Sequence, residues 1–435
     1  MLICTLFYGG LLLTMGVGIY DDSYQYMDMH IHREPGYCLF LWALRGIFGE
    51  ASLIAAAVLQ NLLAILVTTV VVDYFSREFA LSRLETGLLL ILHFIPHLLT
   101  PVFSVERVVL GNGIMSEGLC YPLFQLFFLY LYRMVVSRRT GDIVIGAGLA
   151  FFLAMIRSQF MAALLLWLVI LVVQAVMDRR YRKLLMFLMV TLGLFLARGY
   201  ATKAYNYVFN EGYFIGNTYG GVNTLANVLY ASDREDGEKI EDEMHREIFY
   251  RMYDRMAEQK WNRERAGKGL LARVIFLEEQ HDNIKFLAVE SSFQSWLKEQ
   301  QITGYIEQNL EADRISVELI KILLPDNFLV WALNYLLLAL RGLMRCIGIV
   351  HPLIGIAVWL LFVLAIAAWI REWKRDLASP EGWLMFIGLL SVLAISFSTA
   401  ITIMCLSRYM IYGFVGFYSA LFFCLRKWGK ERFGK

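Results

Sequence analysis

Long apolar runs separated by short polar stretches make up most of this 435-residue chain. A helix needs about 20 apolar residues to cross ~30 Å of hydrocarbon, so each run of that kind predicts a membrane span. Ten candidate spans follow, at residues 2–20, 51–75, 86–104, 114–136, 143–160, 161–177, 184–199, 353–370, 383–404 and 409–425. The pattern therefore predicts an all-α polytopic membrane protein.

Composition supports that class and excludes an ordinary soluble enzyme. Hydrophobic residues make up 58% of the chain, aromatic residues 14% and charged residues only 18%. The six cysteines include no C-x-x-C pair and favour neither a disulfide framework nor a zinc site. No basic residue precedes the first apolar run, which predicts an uncleaved first span.

The distribution of Lys and Arg predicts the orientation. Basic residues recur in alternate loops, for example at 133–139, at 179–183 and in the tail 426–435, and the positive-inside rule places these loops in the cytoplasm. Both termini are then cytoplasmic, and the hydrophilic region 200–325 faces outside. That region contains no N-x-S/T sequon, which favours the cytoplasmic membrane of a bacterium.

Three modules follow from this topology. Residues 1–199 form an N-terminal membrane module of seven spans whose first outer loop, 20–50, is the candidate catalytic loop. Residues 200–350 form an external, mostly helical region, and residues 351–435 form a C-terminal module of three spans with a basic cytoplasmic tail.

The external region shows helical and loop patterns in turn. Apolar residues at four-residue spacing predict a helix over 238–256, and further helices are predicted at 284–297 and 306–324. The Gly- and Asn-rich stretch 216–232 is typical of loops.

The run 327–343 is apolar enough to span the membrane, but counting it as a span would move the basic tail outside. We therefore expect it to lie at the outer interface, with Arg341 and Arg345 reaching lipid headgroups.

Ionisable residues are concentrated in the stretch 20–40, beside the first span. Such residues are costly next to membrane helices unless they face water, a partner or a substrate. Asp21 and Asp22 lie where the first span meets the outer surface. A half-shielded carboxylate there can accept a proton from a hydroxyl, a role worth ~10²–10⁴ in rate. The alternative is a solvated residue just past a helix end.

The order of Asp22, Tyr26 and the segment REPGYCLFLWALRGIFGE at 33–50 resembles the N-terminal signature of the GT-C superfamily of polytopic glycosyltransferases. That group includes the protein O-mannosyltransferases and the bacterial aminoarabinose transferases. Many relatives have proline where this chain has Cys38. The resemblance implies an acidic residue of the first outer loop beside the acceptor, and a sugar donated by a polyprenyl phosphate.

Further short motifs resemble this superfamily in the same order along the chain. They are MSEGLCYPLFQLFFLYLYR, which contains Glu117, AMIRSQF, which contains Arg157, and LSRYMIY, which contains Arg408. The roles that the resemblance implies are catalysis by Asp22, Glu117 and Asp21, donor-phosphate binding by Arg157, Arg408 and Arg33, and substrate binding by Tyr26, Tyr37 and Tyr409.

The chemistry of a lipid-linked donor agrees with these assignments. Nucleotide sugars stay in the cytoplasm, and the chain has no Walker-type or G-x-G-x-x-G loop to cradle a nucleotide. A leaving phosphate needs cations, and the planar guanidinium of arginine binds phosphate oxygens in pairs. Each arginine on its own also fits an interfacial residue that reaches for headgroups.

Asp28, His30 and His32 alternate, so an extended segment would project all three to one side. Such side chains are possible metal ligands, and a divalent metal bridging the donor phosphate is conceivable. Ordinary polar loop positions or sugar contacts are the commoner roles, so we predict no metal site and treat the three as candidates only.

The predicted function is transfer of a sugar from a polyprenyl-phosphate donor to an acceptor hydroxyl at the outer face of the membrane, with inversion. The acceptor is a glycan, a lipid or a protein, and no nucleic acid is involved.

Three alternatives to this function remain. An O-antigen-type polymerase or ligase usually relies on a large outer loop, whereas the acidic residues here come in the first loop. A lipid or sugar transporter tends to carry ionisable residues near the membrane middle. An inactive scaffold is the third alternative.

Overall fold

The computed structural model describes residues 1–103, 107–218, 220–348, 352–401 and 404–433. Every regular element among these residues is a helix, and their one β-type pairing is an isolated bridge between Gly18 and Gly113. The predicted all-α class is confirmed. The boundary predicted between residues 350 and 351 lies outside the described residues, as do residue 104 and residues 402–403 of two predicted spans.

Eighteen α-helices are described, together with short 3₁₀ turns and one π-helical segment, Asn283–Glu290. The helices are α1 (Leu2–Met15), α2 (Asp21–Met27), α3 (Pro35–Phe48), α4 (Ser52–Glu78), α5 (Arg83–Phe103), α6 (Glu117–Val136), α7 (Thr140–Ile156), α8 (Met161–Met177), α9 (Arg182–Phe209), α10 (Gly220–Ala231), α11 (Glu243–Glu258), α12 (Leu270–Asp282), α13 (Ser291–Glu299), α14 (Tyr305–Ile347), α15 (Pro352–Arg375), α16 (Pro380–Ala400), α17 (Ser407–Met410) and α18 (Tyr412–Phe433).

Seven helices within the described residues are long and apolar enough to cross a membrane, judged by length and composition. They are Pro35–Glu78, Arg83–Phe103, Glu117–Val136, Ser158–Met177, Arg182–Phe209, Tyr305–Ile347 and Pro380–Ala400. Helices are expected in lipid because every backbone N–H and C=O must find its partner within the segment. The chain is thus a helical membrane protein, but ten spans are not confirmed. Two of the predicted spans, α1 and α7, are apolar helices of only 14 and 17 residues.

The chain divides into two compact units. The first, here the membrane unit, comprises Met1–Ile215, Leu343–Ser396 and Leu406–Lys435, and the second comprises Gly216–Gly342 and Phe397–Cys405. The first division falls at residue 215, because α9 continues past the predicted end of its span at residue 199 and reaches Phe209. A later division falls inside α14.

The candidate catalytic loop, residues 20–50, is mostly helical. Asp21 and Asp22 occupy the first turn of α2, where negative charge complements the helix dipole. Pro35 opens α3 at a position where its missing N–H costs nothing. At Gly36 an added Cβ would lie 2.7 Å from the carbonyl oxygen of Met155, so the absence of a side chain lets α3 pack closely on the end of α7.

The second unit is also helical, and here one prediction is wrong. The stretch 216–232 was expected to form loops, but Gly220–Ala231 is a helix. Its Leu225, Ala226 and Leu229 are fully buried. Burial of these apolar side chains outweighs the low helix propensity of its Gly and Asn residues. The amphipathic helix predicted at 238–256 is confirmed, although it begins at Glu243.

The run 327–343 belongs to α14, a continuous helix of 43 residues. That helix is apolar enough to cross a membrane by composition, so its place at an interface stays a prediction. Arg341, expected to reach lipid headgroups, instead pairs with the carboxylate of Glu278 at 2.6 Å within the second unit.

Candidate functional site

The polar segment after α1 places Asp22 beside Arg33. The backbone N–H of Tyr20 donates to the Ser23 hydroxyl oxygen at 2.9 Å, which fixes the start of α2. Arg33 Nη2 then reaches Asp22 Oδ1 at 2.5 Å, and Arg33 Nε donates to Gln25 Oε1 at 2.9 Å. The segment thus forms a compact turn held by its own arginine.

A second arginine reaches the same carboxylate from the far end of the chain. Arg408, in the short helix α17, places its Nη2 at 3.2 Å from Asp22 Oδ2. The same nitrogen donates to the Tyr409 hydroxyl at 2.6 Å. Each oxygen of Asp22 therefore accepts from a different guanidinium group.

Glu117 and Arg157 form another ion pair in the membrane unit. Glu117 is the first residue of α6, and its Oε1 lies 2.7 Å from Arg157 Nη1. Arg157 occupies the break between α7 and α8, where its extended backbone (φ −153°, ψ 128°) ends α7. The Glu117 side chain is fully buried, so its charge depends on this partner.

Hydroxyl groups connect the two ion pairs. Arg33 Nη1 donates to the Tyr26 hydroxyl at 3.3 Å, and Tyr26 donates to the Ser116 hydroxyl at 3.0 Å. Ser116 in turn donates to Glu117 Oε2 at 3.2 Å. An arginine-to-glutamate chain of hydrogen bonds therefore runs through the site.

The ring of Tyr409 makes a second connection. The guanidinium carbons of Arg157 and Arg408 lie 4.4 and 4.7 Å from its centroid. Contacts of this kind stabilise a cation by ~0.5–2 kcal/mol, more when the pair is shielded from water.

We refer to Asp22, Arg33, Glu117, Arg157 and Arg408 as the charged cluster. Three guanidinium groups face two carboxylates, and arginine keeps its proton at any physiological pH. Several guanidinium groups therefore converge on one place in the membrane unit. Grouped guanidinium N–H donors favour a ligand whose anionic oxygens accept from them in pairs.

The environment of Asp22 keeps it ionised. Burial alone would raise the pKa of the Asp22 carboxyl, but Arg33 and Arg408 outweigh burial and hold that pKa below its usual value. Burial raises the pKa of the neighbouring Tyr26 to about 12, so its hydroxyl remains a donor at neutral pH. Asp22 is thus an accessible anion, with about 25% of its side chain exposed.

Buried amides position the loop that precedes Glu117. Gln60 Nε2 donates to the carbonyl oxygens of Gly111 and Gly113 at 3.0 and 2.9 Å. Tyr37, predicted to bind substrate, is fully buried and donates to Gln60 Oε1 at 2.7 Å. Its hydroxyl therefore supports the loop, while its ring packs edge-on against Tyr26 at 4.9 Å.

Another buried ion pair fixes the chain just after Arg33. Glu34, only 4% exposed, pairs with Arg198 of α9 and also accepts from the Thr202 hydroxyl at 3.4 Å. This contact ties the turn that carries Arg33 to a long helix. Because the backbone next to Arg33 is already fixed, less conformational entropy is lost when the Arg33 side chain is held beside Asp22.

Of the residues predicted from sequence, the structure brings together Asp22, Glu117, Arg33, Arg157, Arg408, Tyr26 and Tyr409. Asp21 is not among them, because it lies on the exposed side of α2. Two of the three candidate metal ligands lie close together, since the ring centroids of His30 and His32 are 4.7 Å apart. No group of three or more His, Cys, Asp or Glu side chains in the described ranges is placed to hold a metal ion.

Among the described residues, two of the cavities lie away from the charged cluster. One is small and is lined mainly by α6 and α18 residues such as Phe124, Gln125 and Ser419, and the other opens near the C-terminus at Arg371 and Trp428. No residue of the charged cluster lines either of them.

Sequence reasoning missed Ser116, Gln60 and the Glu34–Arg198 pair. Ser116 precedes Glu117 directly, so its place beside the acid was visible in the motif, but its contact with Tyr26 was not. Gln60 is a polar residue inside an apolar run, and such a residue is expected to have a buried partner. The position of Gln60 in its apolar run was therefore a signal for such a partner.

Comparisons with known proteins do not assign this chain to a family. No protein-family model matches the sequence, and no curated protein or solved structure matches it.

Proposed function

We propose that this protein is a membrane glycosyltransferase that moves a sugar from a polyprenyl-phosphate donor to an acceptor hydroxyl at the outer face of the cytoplasmic membrane. The observation that carries the proposal is the charged cluster, where Asp22 lies between the guanidinium groups of Arg33 and Arg408. Such a transfer needs two things at one place, cations that bind the donor phosphate and a carboxylate that accepts the proton of the acceptor hydroxyl.

The arginines supply the phosphate site. As the bond between the anomeric carbon and the phosphate oxygen breaks, the phosphate leaves with the bonding electrons and its negative charge increases. Arg408, Arg157 and Arg33 offer paired N–H donors to that charge without needing to gain a proton. The lipid leaving group makes a phosphate site within a membrane helix bundle chemically reasonable.

Asp22 acts as the general base. The acceptor hydroxyl oxygen attacks the anomeric carbon from the face opposite the phosphate, which inverts that centre, and its proton passes to Asp22. Two guanidinium contacts make the carboxylate a weak base. A donor phosphate that draws Arg408 toward itself removes part of that stabilisation and raises the proton affinity of Asp22 when the donor is present.

Glu117 has a supporting role in this scheme. It is fully buried and bonded to Arg157 and Ser116, so it orients the arginine that holds the phosphate. Its charge also stabilises the positive charge that develops on the sugar ring in the transition state.

The experiment follows release of free polyprenyl phosphate from a panel of polyprenyl-phosphate sugars, using purified full-length protein with candidate acceptors. Wild type is compared with Asp22→Asn and with Asp21→Asn, which removes the same charge from the exposed neighbouring position. We expect one donor to be consumed by wild type and Asp21→Asn, and a loss of ~10²–10⁴ in rate for Asp22→Asn.

Two results would contradict the proposal. Full activity of Asp22→Asn would remove Asp22 from the base role. Donor binding without consumption, across the panel of donors and acceptors, would favour transport of a lipid-linked sugar instead.

A further inference from the structure

The C-terminal ends of α15 and α18 meet around an open groove in the membrane unit. It is lined by Arg371, Arg375, Trp428, Gly429, Glu431 and Arg432. Its empty volume, open solvent included, is about 890 Å³. None of these residues belongs to the charged cluster.

The groove is strongly basic. Three arginines and one glutamate line it. Glu431 Oε2 accepts from Arg375 Nη1 at 2.5 Å and lies 3.5 Å from Arg371 Nη2. Both arginines are more than 40% exposed, so a ligand in the groove can reach them.

Trp428 gives the groove a fixed wall. The guanidinium carbon of Arg371 lies 4.3 Å from the Trp428 ring centroid. The indole N–H donates to Glu372 Oε1 at 2.9 Å, and Lys427 Nζ lies 2.6 Å from Glu372 Oε2. Because Glu372 is fully buried and held from both sides, the ring is in position before any ligand arrives, which reduces the entropic cost of binding.

Apolar surface continues below the groove on both helices. Ile370 precedes Arg371 on α15 and is 42% exposed, and Leu425 lies one turn before Trp428 on α18 and is 41% exposed. A phosphate held by the arginines would therefore have exposed aliphatic side chains beside it. A tryptophan between basic and apolar residues is typical of the headgroup level of a membrane.

We propose that this groove binds the phosphate of an anionic phospholipid headgroup. Arg371 and Arg375 exchange the Glu431 carboxylate for phosphate oxygens, and the acyl chains follow the apolar flanks of α15 and α18. The adjacent aliphatic surface favours a lipid over free phosphate, although both present the same anionic oxygens. The proposal does not depend on the glycosyltransferase activity.

The test measures lipid binding to full-length protein in detergent by native mass spectrometry, with phosphatidylglycerol as the probe and zwitterionic phosphatidylcholine as the comparison. Variants are the double substitution Arg371→Gln/Arg375→Gln and a matched control, Arg180→Gln/Arg182→Gln, which removes two exposed arginines, one just before α9 and one at its first residue. We expect the groove variant to lose about tenfold or more in phosphatidylglycerol affinity, and the control to bind as wild type does.

Glu431→Gln provides an independent variant that keeps every arginine. Because it removes the competing carboxylate, we expect it to bind phosphatidylglycerol more tightly than wild type. Equal losses in both double variants, or equal binding of the two lipids by wild type, would overturn the proposal. Binding of inorganic phosphate as tight as that of phosphatidylglycerol would also overturn it, since the aliphatic surface would then contribute nothing.

Discussion

The Asp22 carboxylate is bonded on both of its oxygens, by Arg33 on one and Arg408 on the other. This arrangement guarantees the negative charge at neutral pH and limits its strength as a base. The same two contacts therefore determine both the charge state of Asp22 and the pH range over which it would act as the proposed base.

Arg33→Gln should shift the acid side of the pH–rate profile. Asp22 must be ionised to accept a proton, so activity falls as the pH drops through its pKa. Arg33 is the larger of the two influences that lower this pKa, and removing it raises the pKa. We expect the acid limb to move to higher pH, as measured from kcat/KM between pH 3 and 8. An unmoved limb would mean that another group controls it.

Glu117→Gln should destabilise the protein more than Asp22→Asn does. Glu117 is fully buried, and without its carboxylate the Arg157 charge is left unpaired, which costs about 3–5 kcal/mol. Asp22 keeps about a quarter of its side chain exposed, so water can take its place beside the arginines. Thermal unfolding of the two variants in the same detergent provides the comparison, and equal shifts in Tm would contradict it.

The individual residues of the charged cluster were predictable, but their pairing was not. A family resemblance in short motifs nominated Asp22, Glu117, Arg157 and Arg408. Nothing in the sequence indicated that Arg408 bonds to Asp22 or Arg157 to Glu117, because contacts between distant helices leave no periodic signal. The same limit applies to Tyr37, whose hydroxyl donates to Gln60 Oε1, a contact that the sequence did not indicate.

At the scale of elements, long apolar runs predicted helices because lipid leaves the backbone no other partner. Helix ends were predicted less well, since α9 continues to Phe209 although its apolar run ends at residue 199. The largest miss is α10, whose composition suggested loops. Its stability depends on packing inside the second unit, and packing of that kind cannot be read from local propensity.

Gly221→Ala should destabilise the second unit. A Cβ at this position would lie 2.7 Å from Asp313 Oδ1 and 2.9 Å from the Asp313 carbonyl oxygen, and the Gly221 N–H donates to the same carboxylate at 2.8 Å. We expect a loss of about 1–3 kcal/mol from this overpacking. Gly220→Ala is the control, because nothing lies within 4 Å of its added Cβ. Urea unfolding should separate the two, and equal stability would contradict the predicted clash.

At the scale of the whole molecule, the path of α14 decides the topology. Cysteines introduced as Glu235→Cys and Lys374→Cys are exposed, whereas all six native cysteines are buried. If the run 327–343 lies at the interface, an impermeant thiol reagent should label the two positions from opposite sides of the membrane. Labelling from the same side would mean that α14 crosses.

The contact between Arg408 and Asp22 joins residues 386 positions apart. At ~5–20 residues per second, a ribosome needs about 20–80 s to make that stretch. Arg33 is available to Asp22 almost at once, but the second guanidinium is made only after the whole intervening stretch. A chain that stops before Arg408 therefore lacks one of the two guanidinium contacts on Asp22.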